Sequence, residues 1–377
     1  MVESFKTKLI GHVECAGGGQ VWVDGTNLYI GHMDAPHGTS IFDVEDPASP
    51  RLLASLDIPA GWHSHKVRVA NDIMLVNHER NGEGNPEFGG GLGIYDVSNP
   101  AEPRFITKWA TGGKGVHRFT FDGRYAYISP TAAGYIGNFV MILDLKDSVK
   151  PAEVGRWWIE GQWKDGGEEY PWANFPAPRC HHPMRLGDRL YVSYWHHGFY
   201  ILDISDMSRP TVVSSMQTSP TFPYPTHTCL PIPHPLKQRK IMVVADEDVL
   251  KIRPAPPSFA WIYDITDEKM PRTISTFQVP NIDPDGEPQP AMTGCHQPSD
   301  RLFSGPTTLI PFAWFAHGLR IMDIKDPFAP KEVAFYRPDP PSGHARLTSN
   351  DVTVDDRGLI YLVDRNGGVD IVETAAL

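Results

Sequence analysis

The sequence predicts an all-β fold, a seven-bladed β-propeller built as a single domain over residues 1–377. Three observations lead there. An apolar–Asp–apolar triplet recurs seven times. Its period suits a four-stranded sheet. The two ends of the chain read as complementary parts of one such sheet.

The triplets are Phe42-Asp43-Val44, Tyr95-Asp96-Val97, Leu143-Asp144-Leu145, Leu202-Asp203-Ile204, Tyr263-Asp264-Ile265, Met322-Asp323-Ile324 and Val369-Asp370-Ile371. Their Asp residues follow one another at intervals of 53, 48, 59, 61, 59 and 47 residues, which fits a propeller blade with loops of variable length. A proline-marked turn follows each of the first six copies, as in Glu45 to Pro50 and Lys325 to Pro330. Proline fixes φ and has no N–H, so it suits the gap between two strands. A strand-like run comes next, such as Arg51 to Ile58 or Arg104 to Ala110. Then come a loop, a short alternating strand, a tight turn such as Asp122-Gly123, and another strand. Each unit thus reads as strands A, B, C and D, with the triplet ending C. The triplet Asp is expected to cap its turn through the backbone. After Ile371 there is no room for a D strand, whereas Phe5 to Val13 reads as a D strand with no A, B and C before it. The N-terminal strand is therefore expected to close the last blade and remove its exposed edge.

Composition narrows the partners. The 36 Pro and 34 Gly are spread along the chain and read as many turns. A formal net charge of -11 without any basic run argues against nucleic acid. No stretch approaches the roughly 18 apolar residues of a membrane span. Met1 to Glu14 has no apolar signal region, so no membrane association and a cytoplasmic location are expected. Cys15, Cys180, Cys229 and Cys295 are too scattered for a disulfide framework. No nucleophile-elbow, zinc-protease, P-loop or dinucleotide motif is present.

The C strands, as in Gly318 to Asp323 and Tyr200 to Asp203, resemble those of the LVIVD-repeat proteins. That resemblance implies a β-propeller over nearly the whole chain and leaves the function open.

A second pattern carries chemistry. The two residues before strand A read Gly19-Gln20, His65-Lys66, His117-Arg118, His182-Pro183, His227-Thr228, His296-Gln297 and Asn350-Asp351. Five consecutive units carry His, in a chain with only 16. Strand A is the innermost strand of a blade, so these positions form a ring around the channel. His65, His117, His182, His227 and His296 are therefore candidate metal ligands. Neutral imidazole is a common metal ligand, and a bound cation keeps converging imidazoles neutral. Four or five imidazoles favour a redox metal, Fe(II) first, with Mn, Cu and Zn as alternatives. The competing readings are a hydrogen-bonded polar plug and a metal-free substrate site. In architecture the chain is similar to two His-lined metal propeller families, the carotenoid-cleaving oxygenases and the selenium-binding proteins that include methanethiol oxidase. The first of these implies iron held by four His.

Further residues fall beside the ring. His63, two residues before His65, and His344, in the loop before the seventh A strand, are candidate proton carriers. His181 is expected to point away from His182 and to pack. Glu79, Asp246 and Glu247 are candidates to fix an imidazole tautomer, with Glu79 also a candidate catalytic carboxylate. The pairs His37-Gly38, His197-Gly198 and His317-Gly318 read as repeat turns in which Gly supplies positive φ. The three cysteines near ring positions read as small buried hydrophobes. The aromatic-rich insertion from Trp157 to Pro178 reads as a lid or as interblade packing. Arg118, Arg179 and Arg346 are candidates to clamp a carboxylate. The expected function is a metal-dependent enzyme that oxidises or cleaves a small, partly aromatic substrate. A metal-assisted lyase or hydrolase at the same site, and a non-catalytic binding scaffold, are the alternatives. The expected partners are a small molecule and at most further copies of the chain.

Overall fold

A computed structural model of the chain describes residues 2–15, 17–249, 258–279 and 292–377. The fold is all-β, a β-propeller. Among the described residues there is no α-helix, only two single 3-10 turns at Pro86–Phe88 and Lys164–Gly166. The strands there fall into antiparallel sheets, most of them four-stranded as the repeat predicts. The chain divides into two compact units.

The first unit comprises Met1–Leu28, Phe42–Arg51 and Tyr224–Leu377. It holds the sheet Thr226–Pro231, Ile241–Asp246, Ala260–Asp264, Arg272–Phe277 and the sheet Gln297–Pro298, Leu309–Ala313, Leu319–Asp323, Lys331–Arg337. In a third sheet Ser349–Val354, Ile360–Asp364 and Gly368–Thr374 are completed by the N-terminal strand Thr7–Val13, which pairs antiparallel with Gly368–Thr374. The expected strand from Phe5 to Val13 is broken in two. Lys6 takes φ 53°, which turns the chain, so Glu3–Phe5 adds to the neighbouring sheet against Lys331–Arg337 instead. The apolar faces of two of these sheets meet through Leu319, Ile321, Ala334, Val352, Val354 and Leu362.

The second unit comprises Tyr29–Ile41 and Leu52–Pro223. One group runs Val67–Ala70, Ile73–Arg80, Gly91–Asp96, Arg104–Ala110. The next runs Gly115–Phe121, Tyr125–Thr131, Val140–Asp144, Ala152–Trp157. A third runs His182–Leu186, Arg189–Ser193, Phe199–Asp203, Thr211–Met216. Leu75, Ile94, Phe119 and Ile128 form one core, and Tyr127, Ile142, Leu190 and Val192 the next. Each such buried side chain contributes about 1.5–3 kcal/mol. The remaining group, Gly18–Asp24, Asn27–His32, His37–Asp43 and Arg51–Asp57, contains the points where the chain passes from one unit to the other.

The triplet Asp does what its position predicts. Oδ1 of Asp43, Asp96, Asp144, Asp203, Asp264 and Asp323 each accepts from the backbone N–H two residues on. The other carboxylate oxygen binds an Arg at Asp43, Asp96, Asp144, Asp203 and Asp264. The Asp thus ends strand C, starts the turn and ties it to a neighbouring strand.

Candidate functional site

The inner strands place the ring histidines through a repeated irregularity. Strand Gly115–Phe121 slips register between Val116 and Phe119, so His117 and Arg118 together face the single residue Ser129. The same kind of bulge lifts His227 between Thr226 and Thr228, and Asn350 between Ser349 and Asp351. An extra residue bends the strand and re-aims its side chain. The residues after His65 and His117 are pinned by the adjacent strand: Lys66 N–H donates to Asn77 Oδ1 and Arg118 N–H to Ser129 Oγ.

The equivalent bond in the next sheet is made by His182, whose N–H donates to Ser193 Oγ. Strand His182–Leu186 has no bulge, so the pairing runs straight from His182 opposite Ser193. His182 therefore stands where Lys66 and Arg118 stand, and His181 occupies the position of His65 and His117. The sequence alignment of this unit is one residue out, and the residue expected to point away is the one that meets its neighbour.

In the second unit His63, His65, His117, His181 and Glu79 come together. Glu79 Oε2 accepts from His117 Nδ1 at 2.7 Å and from His63 Nε2 at 2.9 Å. His117 Nε2 lies 3.0 Å from His181 Nε2. The ring of His65 lies 4.1 Å from that of His63 and 5.2 Å from that of His117. His63, His65 and Glu79 offer donor atoms all within 4.8 Å of one another. Burial lowers the His117 pKa to about 4 against the attraction of Glu79, and holds His65 and His181 well below the ordinary histidine value. Burial alone would raise the Glu79 carboxyl, but the His117 and His63 contacts outweigh it and keep it below the usual carboxylate range. His65, His117 and His181 thus stand as neutral imidazoles beside an ionised Glu79. Asn77 sets the His65 tautomer. Its Oδ1 accepts from Lys66 N–H and its Nδ2 donates to Val116 O. The amide nitrogen therefore faces His65 Nδ1, at 3.3 Å, and leaves the His65 proton on Nε2.

In the first unit His227, His296 and Glu247 form a second group. The Gln297 amide nitrogen donates to Pro298 O and Asp300 Oδ1, which leaves Gln297 Oε1 to accept from the Thr228 hydroxyl at 2.8 Å. The Thr228 oxygen must then accept from His227 Nδ1–H, at 2.9 Å. His296 Nδ1–H donates to the Asn350 carbonyl. Both imidazoles so turn their Nε2 atoms to Glu247, His227 at 3.7 Å from Oε2 and His296 at 3.4 Å from Oε1. Glu247 therefore does not fix either tautomer. It stands on the side where a ligand atom would stand. Asp246 points elsewhere, accepting from Trp261 Nε1 at 2.7 Å, and burial raises its pKa to about 8.

The other expected residues separate from these groups. His344 is exposed in a turn, its N–H donating to Pro341 O. Gly198 and Gly318 have positive φ as the turn reading requires, whereas Gly38 does not. Cys180, Cys229 and Cys295 are buried and form no disulfide among the described residues, and burial holds the Cys180 and Cys295 thiols well above their ordinary value. The aromatic insertion packs. Trp158 and Trp163 lie against Tyr135, and Glu168 accepts from Trp158 Nε1 and from the N–H groups of Gly161 and Trp163. Of the three candidate arginines, Arg118 is fully buried, and Arg179 lines a cleft of about 500 Å³ together with Glu79, Arg80, Lys114, Tyr135 and Asn138.

Comparison with known proteins bears on the fold. The LVIVD repeat family model matches residues 87–111 and 186–218. Among solved structures it is similar to the computationally designed Ika8 protein, at 9% identity and TM-score 0.54, over 96% of this chain and 98% of that one. It is also similar to Sqt1 of Saccharomyces cerevisiae, at 7% identity and TM-score 0.55, over 97% of this chain and 88% of that one. No curated protein matches the chain. These likenesses concern the propeller and carry no support for the likeness to metal propellers. No helix among the described residues is long and apolar enough to cross a membrane.

The donor sets fit a metal. Two imidazole nitrogens on one ion, with bonds of about 2.0–2.1 Å, stand about 2.9–3.4 Å apart, and the two Nε2 atoms of His117 and His181 stand 3.0 Å apart. A metal-binding His generally donates its other ring N–H to a carboxylate or carbonyl. His117 does so to Glu79, and His296 to Asn350 O.

Proposed function

We propose that this protein is a metal-dependent enzyme, a non-haem oxidoreductase using Fe(II), in which ring imidazoles hold the metal. His117 and His181 are the ligands that carry the reading, with His181 taking the part first given to His182. His227 and His296 with Glu247 offer the two-imidazole, one-carboxylate set associated with non-haem Fe(II). The single observation behind the proposal is the orientation at His117. Its Nδ1–H is held by a buried carboxylate, and its Nε2 faces a second buried, neutral imidazole beside an open cleft.

When bound, such an ion activates dioxygen or polarises a substrate oxygen. The residues of the chain do the rest. Glu79 orients His117 and is a positioning residue. Its low pKa makes it a weak base, which favours an oxidative reaction over a hydrolysis that relies on it. His63 donates Nε2–H to Glu79, and its Nδ1 is buried without a hydrogen-bond partner among the described residues. That free ring nitrogen and the contact with Glu79 support His63 as the proton carrier. The Nε2–H of His65 makes that residue a donor towards the site. His344 keeps no part in this scheme. A seven-bladed single domain, a cytoplasmic location, a small partly aromatic substrate and self-association as the only macromolecular contact complete the proposal.

Elemental analysis by plasma mass spectrometry on untagged protein tests it, with a His117→Ala/His181→Ala double variant and a His182→Ala variant alongside. Near-stoichiometric iron that is lost in the double variant and kept in His182→Ala is the expected result. Protein that stays metal-free after anaerobic reconstitution overturns the proposal and leaves a binding scaffold.

A further inference from the structure

The cleft beside Glu79 carries an unbalanced charge. Arg80, Lys114 and Arg179 line it, against the one carboxylate of Glu79. The Glu79 oxygen Oε2 is already taken by two imidazoles. None of the three cationic side chains has an ion pair among the described residues. Elsewhere in the protein Arg51, Arg104, Arg124, Arg156, Arg185 and Arg189 all meet a carboxylate. A protein of net charge -11 has carboxylates to spare, so three unpaired cations around one cleft point to a charge supplied from outside.

Arg179 is the best placed of the three. Its guanidinium lies over the Trp195 ring, 4.7 Å from the centroid, and Trp195 in turn stacks on His181 at 4.9 Å. The planar fork is therefore held in place before any ligand arrives, which lowers the ordering cost of binding. It stands beside the His117–His181 pair, and its charge adds to the burial that keeps both imidazoles neutral. Tyr135 lines the same cleft, and its ring stacks on Phe139 at 4.3 Å and so is rigid. A fixed cationic fork and a fixed aromatic ring in one cleft match a flat ring bearing one anionic group.

We infer that the substrate is a small aromatic carboxylate, its carboxylate held by Arg179 with Arg80 and Lys114, and its ring against Tyr135. This deepens the proposed function and rests on it for the meaning of the site, but the binding step itself uses only side chains of the cleft. Binding can therefore be measured on protein stripped of metal as well as on loaded protein.

The test is isothermal titration of benzoate, benzamide and inorganic phosphate into the full chain, with and without bound iron, for the wild type, Arg179→Met and Arg179→Lys. Loss of a charge-assisted bond is worth about 10- to 100-fold in affinity. Benzoate binding that weakens by that factor in Arg179→Met, recovers in part in Arg179→Lys and fades with added salt is expected, with benzamide not binding. Thermal unfolding checks that each variant is folded, and Arg80→Met provides a second cleft variant should Arg179→Met misfold. Equal binding of benzoate and benzamide, or of benzoate to wild type and Arg179→Met, overturns the inference. So does phosphate binding as tightly as benzoate, because the aromatic wall would then contribute nothing. If benzoate binds the metal-free protein but no metal is ever retained, the substrate inference stands and the metal reading fails. The reverse pattern separates them the other way.

Discussion

Exchanging Glu79 for Gln should weaken metal binding about 10- to 100-fold while leaving the protein folded. The carboxylate oxygen Oε2 accepts from His117 at 2.7 Å and from His63 at 2.9 Å. A Gln of the same shape offers one carbonyl oxygen, and its amide group brings hydrogens where an acceptor is needed. It also removes the negative charge that favours a proton on His117 Nδ1. His117 can then carry its proton on Nε2, the atom 3.0 Å from His181 Nε2, and lose the lone pair a metal needs. The expected loss corresponds to about 1.4–2.8 kcal/mol, at about 1.4 kcal/mol per tenfold. Competition against a chromophoric chelator under anaerobic conditions measures it, with thermal unfolding as the check on folding. If E79Q binds metal within about twofold of the wild type, the carboxylate is not what orients His117 and the reasoning is wrong.

Three further outcomes are expected. Thr228→Val removes the acceptor of His227 Nδ1–H and the donor to Gln297, so metal affinity at the His227–His296–Glu247 group should fall by about tenfold in the same competition assay; unchanged affinity would discard that hydrogen-bond chain. Gly115 has φ 120°, and a Cβ there would lie 1.9 Å from the His78 carbonyl oxygen, so Gly115→Ala should cost about 3 kcal/mol in urea unfolding, and a neutral result would contradict the close approach of its strand to Glu79. His317 has its pKa pushed down to about 3 by burial, then by Arg320 and Arg337. Its folded value lies below its unfolded value, so its stability is fully present above about pH 6.5 and is lost as the pH falls towards 3, at up to about 1.4 kcal/mol per pH unit. Urea titrations at pH 7 and pH 5 should show that slope flattened in His317→Leu, and an identical slope would clear His317 as its source.

The fold was legible because its markers are local. A triplet Asp binds the N–H two residues away, so the residues that create the turn are adjacent in sequence and recur with it. The site was legible only in part, because a bulge is a relation between two strands. His117 and His227 sit on such bulges and His182 begins a strand without one. Counting along strand A alone cannot register that difference, and so it points to His182 in place of His181. A usable signal did exist in Asn77, Ser129 and Ser193, the strand B residues that bind Lys66, Arg118 and His182. Aligning on them would have paired His181 with His117. Glu79 could be suspected from its loop, but its role depends on Gly115 bringing two sheets together. Which arginine faces the cleft was not legible at all, since Arg118 and Arg179 differ only in burial.

The pairing of Thr7–Val13 with Gly368–Thr374 has a consequence for how the protein comes into being. His12 binds Asp370 across 358 residues of chain. A growing chain must therefore carry the strand Thr7–Val13 unpaired until Gly368–Thr374 has been made, with Leu9 and Val13 waiting for Val372 and Val369. Contacts of such separation fold slowly, because the loop must close before any gain is returned. The open edge of the last sheet is meanwhile a template for the same strand of another molecule. Exchange of this strand between two copies is thus the characteristic error this architecture invites.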